Sequence, residues 1–323
     1  MYLYNFPVYK PVEFYTAVIE KIVGHLSTTN GIISIYQIGG INDPGISDLD
    51  IVAVFEDGAV DRSNPLVVLN KEEGYLFTHT VFGISRSFLP NLSEFSLFNC
   101  FTYLWGEKIF ENTVNEKSES AELKVQTGLE YLLNNVIART IESYYRLLSI
   151  RNILLSAKAI EYDLLLLNHS DNSGLQNRVD ELKEIRRTWF CSEFDRNVFL
   201  SWYSKFNNAL FNFTSDAFKT QPLYLPGHKS YKLGRNVTIS PGSKFTYRKF
   251  GFSLPPSITS ISRKIRNANG LFNRFEFRVP TASQERSFLK NRCMYYKKMI
   301  KYNKKHLLYY LTLSNGIISK VCS

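Results

Sequence analysis

The sequence Gly39-Gly40-Ile41-Asn42-Asp43-Pro44-Gly45-Ile46-Ser47-Asp48-Leu49-Asp50-Ile51 decides the fold, because it joins two apolar segments through a short polar turn. The two segments, Ile32–Ile38 and Leu49–Phe55, are rich in β-branched residues, and each predicts a strand. The residues Asn42-Asp43-Pro44-Gly45 are typical of a turn. The stretch is therefore predicted to carry the chain from the end of one strand into the start of the next.

Two carboxylates stand at the start of the second predicted strand. Side chains alternate between the faces of a strand, so Asp48 and Asp50 are expected on one face, with Leu49 and Ile51 on the other. Neighbouring carboxylates repel each other unless a cation lies between them. Magnesium is the expected cation, because it prefers oxygen ligands and is commonly shared between one or two carboxylates and substrate phosphates.

The glycines upstream of the acids predict a place where the backbone approaches a ligand closely. Gly39 and Gly40 end the first strand without side chains, and their amide groups are suited to binding anionic oxygens. Ser47, directly before Asp48, offers a hydroxyl hydrogen bond to a phosphate. These residues predict a phosphate site beside a metal site.

The combination resembles the fingerprint of the DNA-polymerase-β-like nucleotidyltransferase superfamily. That pattern is an apolar strand, a Gly-Gly or Gly-Ser pair, a spacer, and then Asp-apolar-Asp or Asp-apolar-Glu on the next strand. Ile38-Gly39-Gly40 and Ser47-Asp48-Leu49-Asp50-Ile51 carry the resemblance, and Tyr103–Glu107 is similar to a segment that follows the core in several members. The helical segment Ala121–Lys219 is also similar in arrangement to the aminoglycoside-modifying and RNA-modifying branches.

The resemblance implies a metal-dependent enzyme that moves a nucleoside monophosphate from a nucleoside triphosphate to an acceptor and releases pyrophosphate. Asp48 and Asp50 are then the catalytic, magnesium-binding residues. Gly39, Gly40 and Ser47 hold the phosphates of the nucleotide. Neither the acceptor nor the base of the nucleotide follows from these residues.

Two features depart from the family pattern. The spacer between Gly40 and Asp48 has 7 residues, fewer than the roughly 9–13 of the pattern. The family also carries a third carboxylate on a later strand, and the predicted strand Tyr75–Ser85 contains no acid. Thr78 or His79 stands at the expected position.

Three acids flank that predicted strand without lying at the expected position: Glu72, Glu73 and Glu94. A third acid supplies either a metal ligand or a general base, and an imidazole such as that of His79 is a chemically suitable base. The absence of an acid supports a second hypothesis. In it, the chain is a catalytically degenerate nucleotidyltransferase-like module that binds nucleotide, RNA or an anionic partner.

Periodicity along the chain predicts an α+β protein of three parts. Residues 1–115 are predicted to form a core with a mixed sheet, nucleotidyltransferase-like by the resemblance above, in which Val12–Ser27 is a helix and Leu66–Leu69 a further short strand. Residues 116–220 form a helical domain made of two apolar blocks. Residues 221–323 form a basic carboxy-terminal region of mixed strand and helix, which ends in the predicted helix Ser283–Leu313.

Charge is distributed unevenly along the chain of 323 residues. The formal net charge is +10, yet the segment from Pro226 to the end holds about 20 Lys and Arg against about 2 acids. Its basic residues alternate with aromatic ones, a composition that suits RNA, an anionic glycan or a lipid-linked acceptor. A solvated surface, or neutralisation against the acidic amino-terminal part, is the alternative interpretation.

The four cysteines, Cys100, Cys191, Cys293 and Cys322, are scattered and show no metal-binding spacing. They predict neither a zinc site nor a disulfide framework, and this usage is expected in a reducing, cytoplasmic environment. The amino terminus lacks the pattern of a signal peptide. No apolar run reaches the roughly 18 residues of a membrane span, so none is expected.

Overall fold

The structure is a computed structural model that describes residues 1–98, 100–110, 121–167, 171, 173–259, 269–282, 286–314 and 316–322. It is a mixed α+β protein, as predicted. The strands are β1 (Tyr2–Tyr4), β2 (Ile32–Ile38), β3 (Asp50–Phe55), β4 (Phe82–Ser85), β5 (Phe101–Gly106), β6 (Leu147–Ser149), β7 (Tyr231–Lys232), β8 (Val237–Gly242), β9 (Thr246–Gly251), β10 (Asn273–Pro280) and β11 (Leu311–Thr312). The α-helices are α1 (Val12–Leu26), α2 (Leu92–Phe95), α3 (Ala121–Tyr145), α4 (Ile150–Leu167), α5 (Leu175–Thr188), α6 (Arg196–Thr220), α7 (Pro256–Thr259), α8 (Ser287–His306) and α9 (Gly316–Cys322).

The chain divides into two compact units, whereas the sequence predicts three parts. The core unit comprises Val8–Leu123, Met294–Asn315 and Cys322–Ser323; the helical unit comprises Met1–Pro7, Lys124–Cys293 and Gly316–Val321. The predicted basic region 221–323 is therefore shared between them. Its strands β7 to β10 belong to the helical unit, and β11 belongs to the sheet of the core unit.

The core unit is built on a five-stranded mixed sheet with the order β11-β4-β3-β2-β5. Strand β3 lies at its centre, antiparallel to β2 and parallel to β4, and its residues Ile51 to Phe55 are almost completely buried. The apolar face of α1 packs on this sheet through Ile22 and Leu26, as the helical spacing of Val12–Ser27 predicts. The sheet is thus held by apolar burial, which is the main favourable contribution to folding.

Two predicted strands of the core unit take other conformations. Tyr75–Ser85 forms a strand only from Phe82 onward and begins with a 3-10 turn at Glu73–Leu76. Leu66–Leu69 folds as a turn, in which the side chain of Asn64 accepts a hydrogen bond from the Leu66 amide at 3.0 Å. In both segments apolar residues pack into the core although the backbone forms turns. An apolar pattern in the sequence was therefore not sufficient to identify a strand.

The predicted terminal helix also ends early, at His306. The apolar residues that follow it leave the helix, and Leu311 and Thr312 pair with β4. Gly83 of β4 makes this possible, because a Cβ atom there would lie 2.7 Å from the Cβ of Tyr310. The Tyr310 hydroxyl, now buried, donates to Asp61 at 2.8 Å.

In the helical unit, both predicted helical blocks divide into two helices. Arg146 adopts a left-handed φ of 54° between α3 and α4, and the next three residues form β6, which pairs with β1 in parallel. In the second block, Asp195 starts α6 as an N-cap that accepts hydrogen bonds from two backbone amides. The unit also contains a four-stranded sheet with the order β7-β8-β10-β9.

The cysteines differ from the prediction. Cys293 and Cys322 are disulfide-bonded, although the sequence predicts no disulfide framework, whereas Cys191 is an exposed thiol. Disulfides persist mainly in oxidising compartments, so cysteine usage no longer supports a cytoplasmic location. Among the described residues, no helix is both long and apolar enough to cross a membrane.

A fully buried ion pair within the helical unit joins the amino-terminal part of α8 to α3. Arg292 of α8 donates to Glu130 of α3 at 2.7 Å, and both side chains are 0% exposed. Glu130 also accepts from the Gln126 side chain and from the Ile318 amide of α9. The carboxylate is thus surrounded by donors, which a buried charge requires.

Replacing Arg292 by Met leaves Glu130 buried without its cation and is expected to lower the free energy of unfolding by about 3–5 kcal/mol. Chemical denaturation followed by circular dichroism measures the loss. Lys290→Met, at an exposed position of the same helix, is the control and should change it by less than about 0.5 kcal/mol. Adding Glu130→Gln to Arg292→Met should recover part of the loss; equal effects of Arg292→Met and Lys290→Met would contradict this role.

Candidate metal and phosphate site

Asp50 begins β3 and Asp48 lies two residues before it, and both follow the predicted alternation of burial. Leu49 and Ile51 are each 1% exposed and pack into the core, whereas Asp48 and Asp50 are partly exposed. The alternation forces both carboxylates away from the apolar layer. The sequence therefore predicted correctly which face carries charge.

The glycine turn lies beside Asp50 because of the strand register, which pairs Ile38, the last residue of β2, with Asp50. Gly39 follows with a φ of 69°, a left-handed conformation that favours glycine, and its amide donates to the Cys100 carbonyl at 3.1 Å. A Cβ atom at Gly39 would meet open space, and Gly40 is exposed. The turn thus leaves room for a ligand next to the acids.

Two tyrosines that the sequence did not single out hold the loop between the glycines and the acids. The Tyr15 hydroxyl accepts from the Gly45 amide at 2.9 Å and donates to the Ser47 carbonyl at 2.8 Å. The Tyr75 hydroxyl donates to the Gly45 carbonyl at 2.6 Å. The short spacer is therefore a structured loop, and the large number of tyrosines was the available signal for such contacts.

Ser47 lies inside this loop, where it is 6% exposed. Its hydroxyl accepts a hydrogen bond from the Asp43 amide at 3.1 Å, and its own amide donates to the Asp43 carbonyl at 2.8 Å. In this structure Ser47 stabilises the turn that delivers Asp48 to the strand.

Thr78 and His79, the residues at the place of the third acid, contact the two aspartates directly. The Thr78 hydroxyl donates to Asp48 Oδ2 at 2.6 Å. The His79 Nε2 atom lies 2.8 Å from Asp50 Oδ1. Each carboxylate therefore has a polar side chain within 2.8 Å from the segment that precedes β4, a hydrogen-bonded hydroxyl at Asp48 and an ion-paired imidazole at Asp50.

The surroundings of His79 favour its charged form. Its Nδ1 atom lies 2.7 Å from the Thr80 carbonyl, which can only accept, so both ring nitrogens face acceptors. Among the described residues, the buried Asp50 Oδ1 atom has no partner besides this ring. Burial of the ring lowers its pKa, but the hydrogen bonds to Asp50 and Thr80 and the charges of both aspartates outweigh burial and raise the pKa of His79 above its ordinary value.

The flanking acids have other partners. Glu72 pairs with Lys10, and Glu73 pairs with Lys21 at 2.8 Å. Glu94 is exposed on the short helix α2. None of the three lies in the position of a third acid on β4.

The carboxylates of Asp48 and Asp50 suit a cation that binds together with phosphates. Among the described residues, no group of three or more His, Cys, Asp and Glu side chains is arranged to hold a metal ion. Magnesium, however, is usually bound by one or two carboxylates, with substrate phosphates and water completing its ligands. Two partly exposed carboxylates beside a glycine turn fit that mode, and they do not form an all-protein cage.

On the basic terminal helix α8 the lysines are exposed, whereas two of the tyrosines are buried. The lysines of its carboxy-terminal half are all exposed: Lys297, Lys298, Lys301, Lys304 and Lys305. Tyr295 and Tyr296 are buried, and their hydroxyls donate to the Phe88 and Phe95 carbonyls, each at 2.7 Å. The tyrosines therefore anchor the helix in the core unit, and its lysines remain accessible to a partner.

Comparisons of the chain with models of protein families, with curated proteins and with solved structures found no match.

The raised pKa of His79 is directly testable. Below that pKa the imidazolium pairs with Asp50, and the stabilisation from this pair is lost as the pH rises through the pKa of the folded protein. NMR titration of the histidine ring signals should give His79 a pKa above the ordinary imidazole value of about 6.5. In Asp50→Asn the pKa should fall, since burial then opposes the charge with less compensation; an unchanged pKa would show that Asp50 does not cause the shift.

Proposed function

We propose that the chain is a metal-dependent nucleotidyltransferase that moves a nucleoside monophosphate from a nucleoside triphosphate to an acceptor. The observation that carries the proposal is the juxtaposition of Asp48 and Asp50 with the Gly39-Gly40 turn. The Ile38–Asp50 pairing brings these two parts, which are chemically suited to metal and phosphate, to the same end of the sheet.

The order of elements in the core unit supports this proposal. Helix α1 is followed by β2, the glycine turn and the antiparallel strand β3, and then by the parallel strand β4. The order places the glycine turn and the two aspartates, which carry the resemblance to the nucleotidyltransferase superfamily, between consecutive strands of one sheet.

In the proposed reaction, Asp48 and Asp50 hold magnesium together with the phosphates of the nucleotide. Bound there, magnesium supplies Lewis-acid stabilisation of the charge on the transferring phosphoryl group. Gly39 and Gly40 allow the phosphates to approach the backbone. A phosphate contact from Ser47 requires its hydroxyl to donate outward while it continues to accept from the Asp43 amide.

His79 acts on this site through Asp50. Both ring nitrogens face acceptors, so His79 holds its protons and is poorly placed to take one from an acceptor hydroxyl. It also occupies a lone pair of Asp50 Oδ1 that a metal would use. The incoming cation therefore has to compete with the imidazole for this oxygen.

If the proposal is right, Asp48→Asn and Asp50→Asn each lower nucleotide transfer by roughly a hundredfold or more, because metal stabilisation of phosphoryl charge is worth several kcal/mol. The assay incubates the protein with each α-labelled nucleoside triphosphate, magnesium and a cell extract, and follows label transfer and pyrophosphate release.

The control for these variants is Asp43→Asn, which removes a carboxylate from the same loop but not from the Asp48–Asp50 pair. It should keep transfer close to that of the wild type. Transfer that survives both Asp48→Asn and Asp50→Asn would show that these carboxylates do not hold the catalytic metal.

A second candidate is favoured by a specific observation, the donors that Thr78 and His79 place on the two carboxylates. In this proposal the chain is a degenerate module, in which a hydroxyl and an imidazolium replace the cation. Such a protein keeps the fold without magnesium and binds a nucleotide, RNA or another anionic partner without transferring a nucleotide.

Restoring an acid at position 79 tests the second candidate. His79→Asp places three carboxylates together, so the melting temperature of this variant should fall in EDTA and rise with magnesium. At a magnesium concentration about one hundred times the Kd, the bound ion should stabilise the folded variant by about 2.7 kcal/mol. His79→Asn, which adds no charge, should not respond, and neither should a degenerate wild-type protein. A wild-type melting temperature that rises with magnesium and nucleotide would contradict degeneracy.

A further inference from the structure

A cavity of about 1110 Å³ in the helical unit lies among α3, α6, β9 and β10. It is at the upper limit of pockets for small molecules, which typically measure about 300–1,000 Å³. Its lining residues all come from the helical unit, so it is a separate feature from the aspartate pair.

The charges that line the cavity are all positive. Arg139, Arg146 and Lys249 contribute to its wall, and no Asp or Glu is among the described residues that line it. A wall with three cations and no acid favours an anionic ligand.

Arg139 is a buried cation whose hydrogen-bonding capacity is not used up. Arg139 is 5% exposed. Its Nη1 atom lies 3.0 Å from Glu142 Oε2, so the two side chains form an ion pair, but the geometry is not that of a hydrogen bond. The same carboxylate oxygen accepts from the Tyr203 hydroxyl at 3.2 Å. Among the described residues, Arg139 Nε has no hydrogen-bond partner. A buried guanidinium usually has its donors satisfied, so this one is prepared for a further acceptor.

Aromatic rings lie beside these cations. Lys249 Nζ is 4.2 Å from the centroid of the Tyr144 ring, and Tyr144 packs edge-on against Phe275. Tyr247 stacks on Phe277 at a centroid distance of 5.7 Å, and it remains 43% exposed. With one face supported from behind, an exposed ring is suited to stacking a planar ligand.

Amides complete the wall along α6, where Asn207, Asn208 and Asn212 line the cavity. The Asn207 side chain donates to Ser143 Oγ at 3.3 Å, while its buried Oδ1 atom has no hydrogen-bond partner among the described residues. Amide groups offer both donors and acceptors, as the edges of nucleobases do.

We infer that this cavity binds a short single-stranded nucleic acid, with Arg139 and Lys249 facing phosphates, Tyr247 stacking a base and the asparagines facing base edges. The combination of cations, a supported aromatic ring and amides is the chemistry that such a ligand requires. Lipid head groups and acidic peptides need the cations but not the planar rings. The inference does not depend on the proposed transferase activity.

Strand β9 supplies a matched pair of variants. Tyr247 and Lys249 line the cavity, and Arg248 between them lies on the opposite face of the strand, beside Glu276. Lys249→Gln and Arg248→Gln remove the same charge from positions one residue apart. Only the first should weaken binding if the cavity is the site.

The experiment measures fluorescence anisotropy of labelled single-stranded RNA of roughly ten nucleotides, a length within the range of single-strand sites. The protein is the full chain carrying Asp48→Asn and Asp50→Asn, so that nucleotide transfer cannot affect the result. Tyr247→Ala should weaken binding by roughly fivefold to a hundredfold, as the loss of one stacked base implies. Tyr247→Phe keeps the ring and should stay within about threefold of the parent.

Salt dependence separates phosphate contact from stacking. Lys249→Gln should reduce the slope of log K against log salt by about 0.7, the value for one phosphate contact in a single strand, and Arg248→Gln should leave it unchanged. Single-stranded DNA of the same length is expected to bind, whereas duplex RNA and a mononucleotide should bind more weakly. Binding of heparin with equal affinity, or equal effects of Lys249→Gln and Arg248→Gln, would overturn the inference, since general charge attraction would then explain the binding.

Discussion

The repulsion between the carboxylates of Asp48 and Asp50 is the constraint on which the candidate site depends. The strand alternation that buries Leu49 and Ile51 leaves both acids on one side, and the protein has to neutralise them there. Thr78 and His79 do so with a hydroxyl and an imidazole, at 2.6 Å and 2.8 Å. The same two carboxylates would serve a magnesium ion that arrives with a nucleotide. In the proposed reaction, that ion has to compete with His79 for Asp50.

The sheet could be predicted where burial and alternation agree with the backbone conformation. Ile32–Ile38 and the strand that starts at Asp50 are β-branched, central in the sheet and buried, so side-chain pattern and structure coincide. The pattern fails where tertiary contacts decide the conformation. Leu307 to Leu313 looks like a continuing helix, but Gly83 leaves room for Tyr310, and Leu311–Thr312 adds to the sheet instead. Gly83 is separated from Tyr310 by more than two hundred residues, so the local sequence does not reveal this contact.

The candidate site was predictable in its acids and glycines but not in the groups that control them. Asp48 and Asp50 are two residues apart, so one strand determines their relation. His79 reaches Asp50 only because the chain enters β4 beside the start of β3, and this neighbourhood follows from the parallel pairing of Val52 with Phe82. The loop contacts of Tyr15 and Tyr75 are equally invisible in local sequence, because each spans about 30 residues. Local pattern identifies which residues can do chemistry, and sheet topology decides which of them meet.

The basic carboxy-terminal region shows why net charge alone identifies a partner poorly. The fold distributes its cations into different environments. The lysines of α8 form an exposed face above buried tyrosines, whereas Lys249 shares a cavity with Arg139, a residue from outside the basic region. An exposed row of lysines attracts any polyanion, and salt screens that attraction strongly. Cations that share a wall with a supported ring and amides can instead distinguish one anion from another. The proposed recognition therefore lies in the cavity, whose wall combines cations, an aromatic ring and amides.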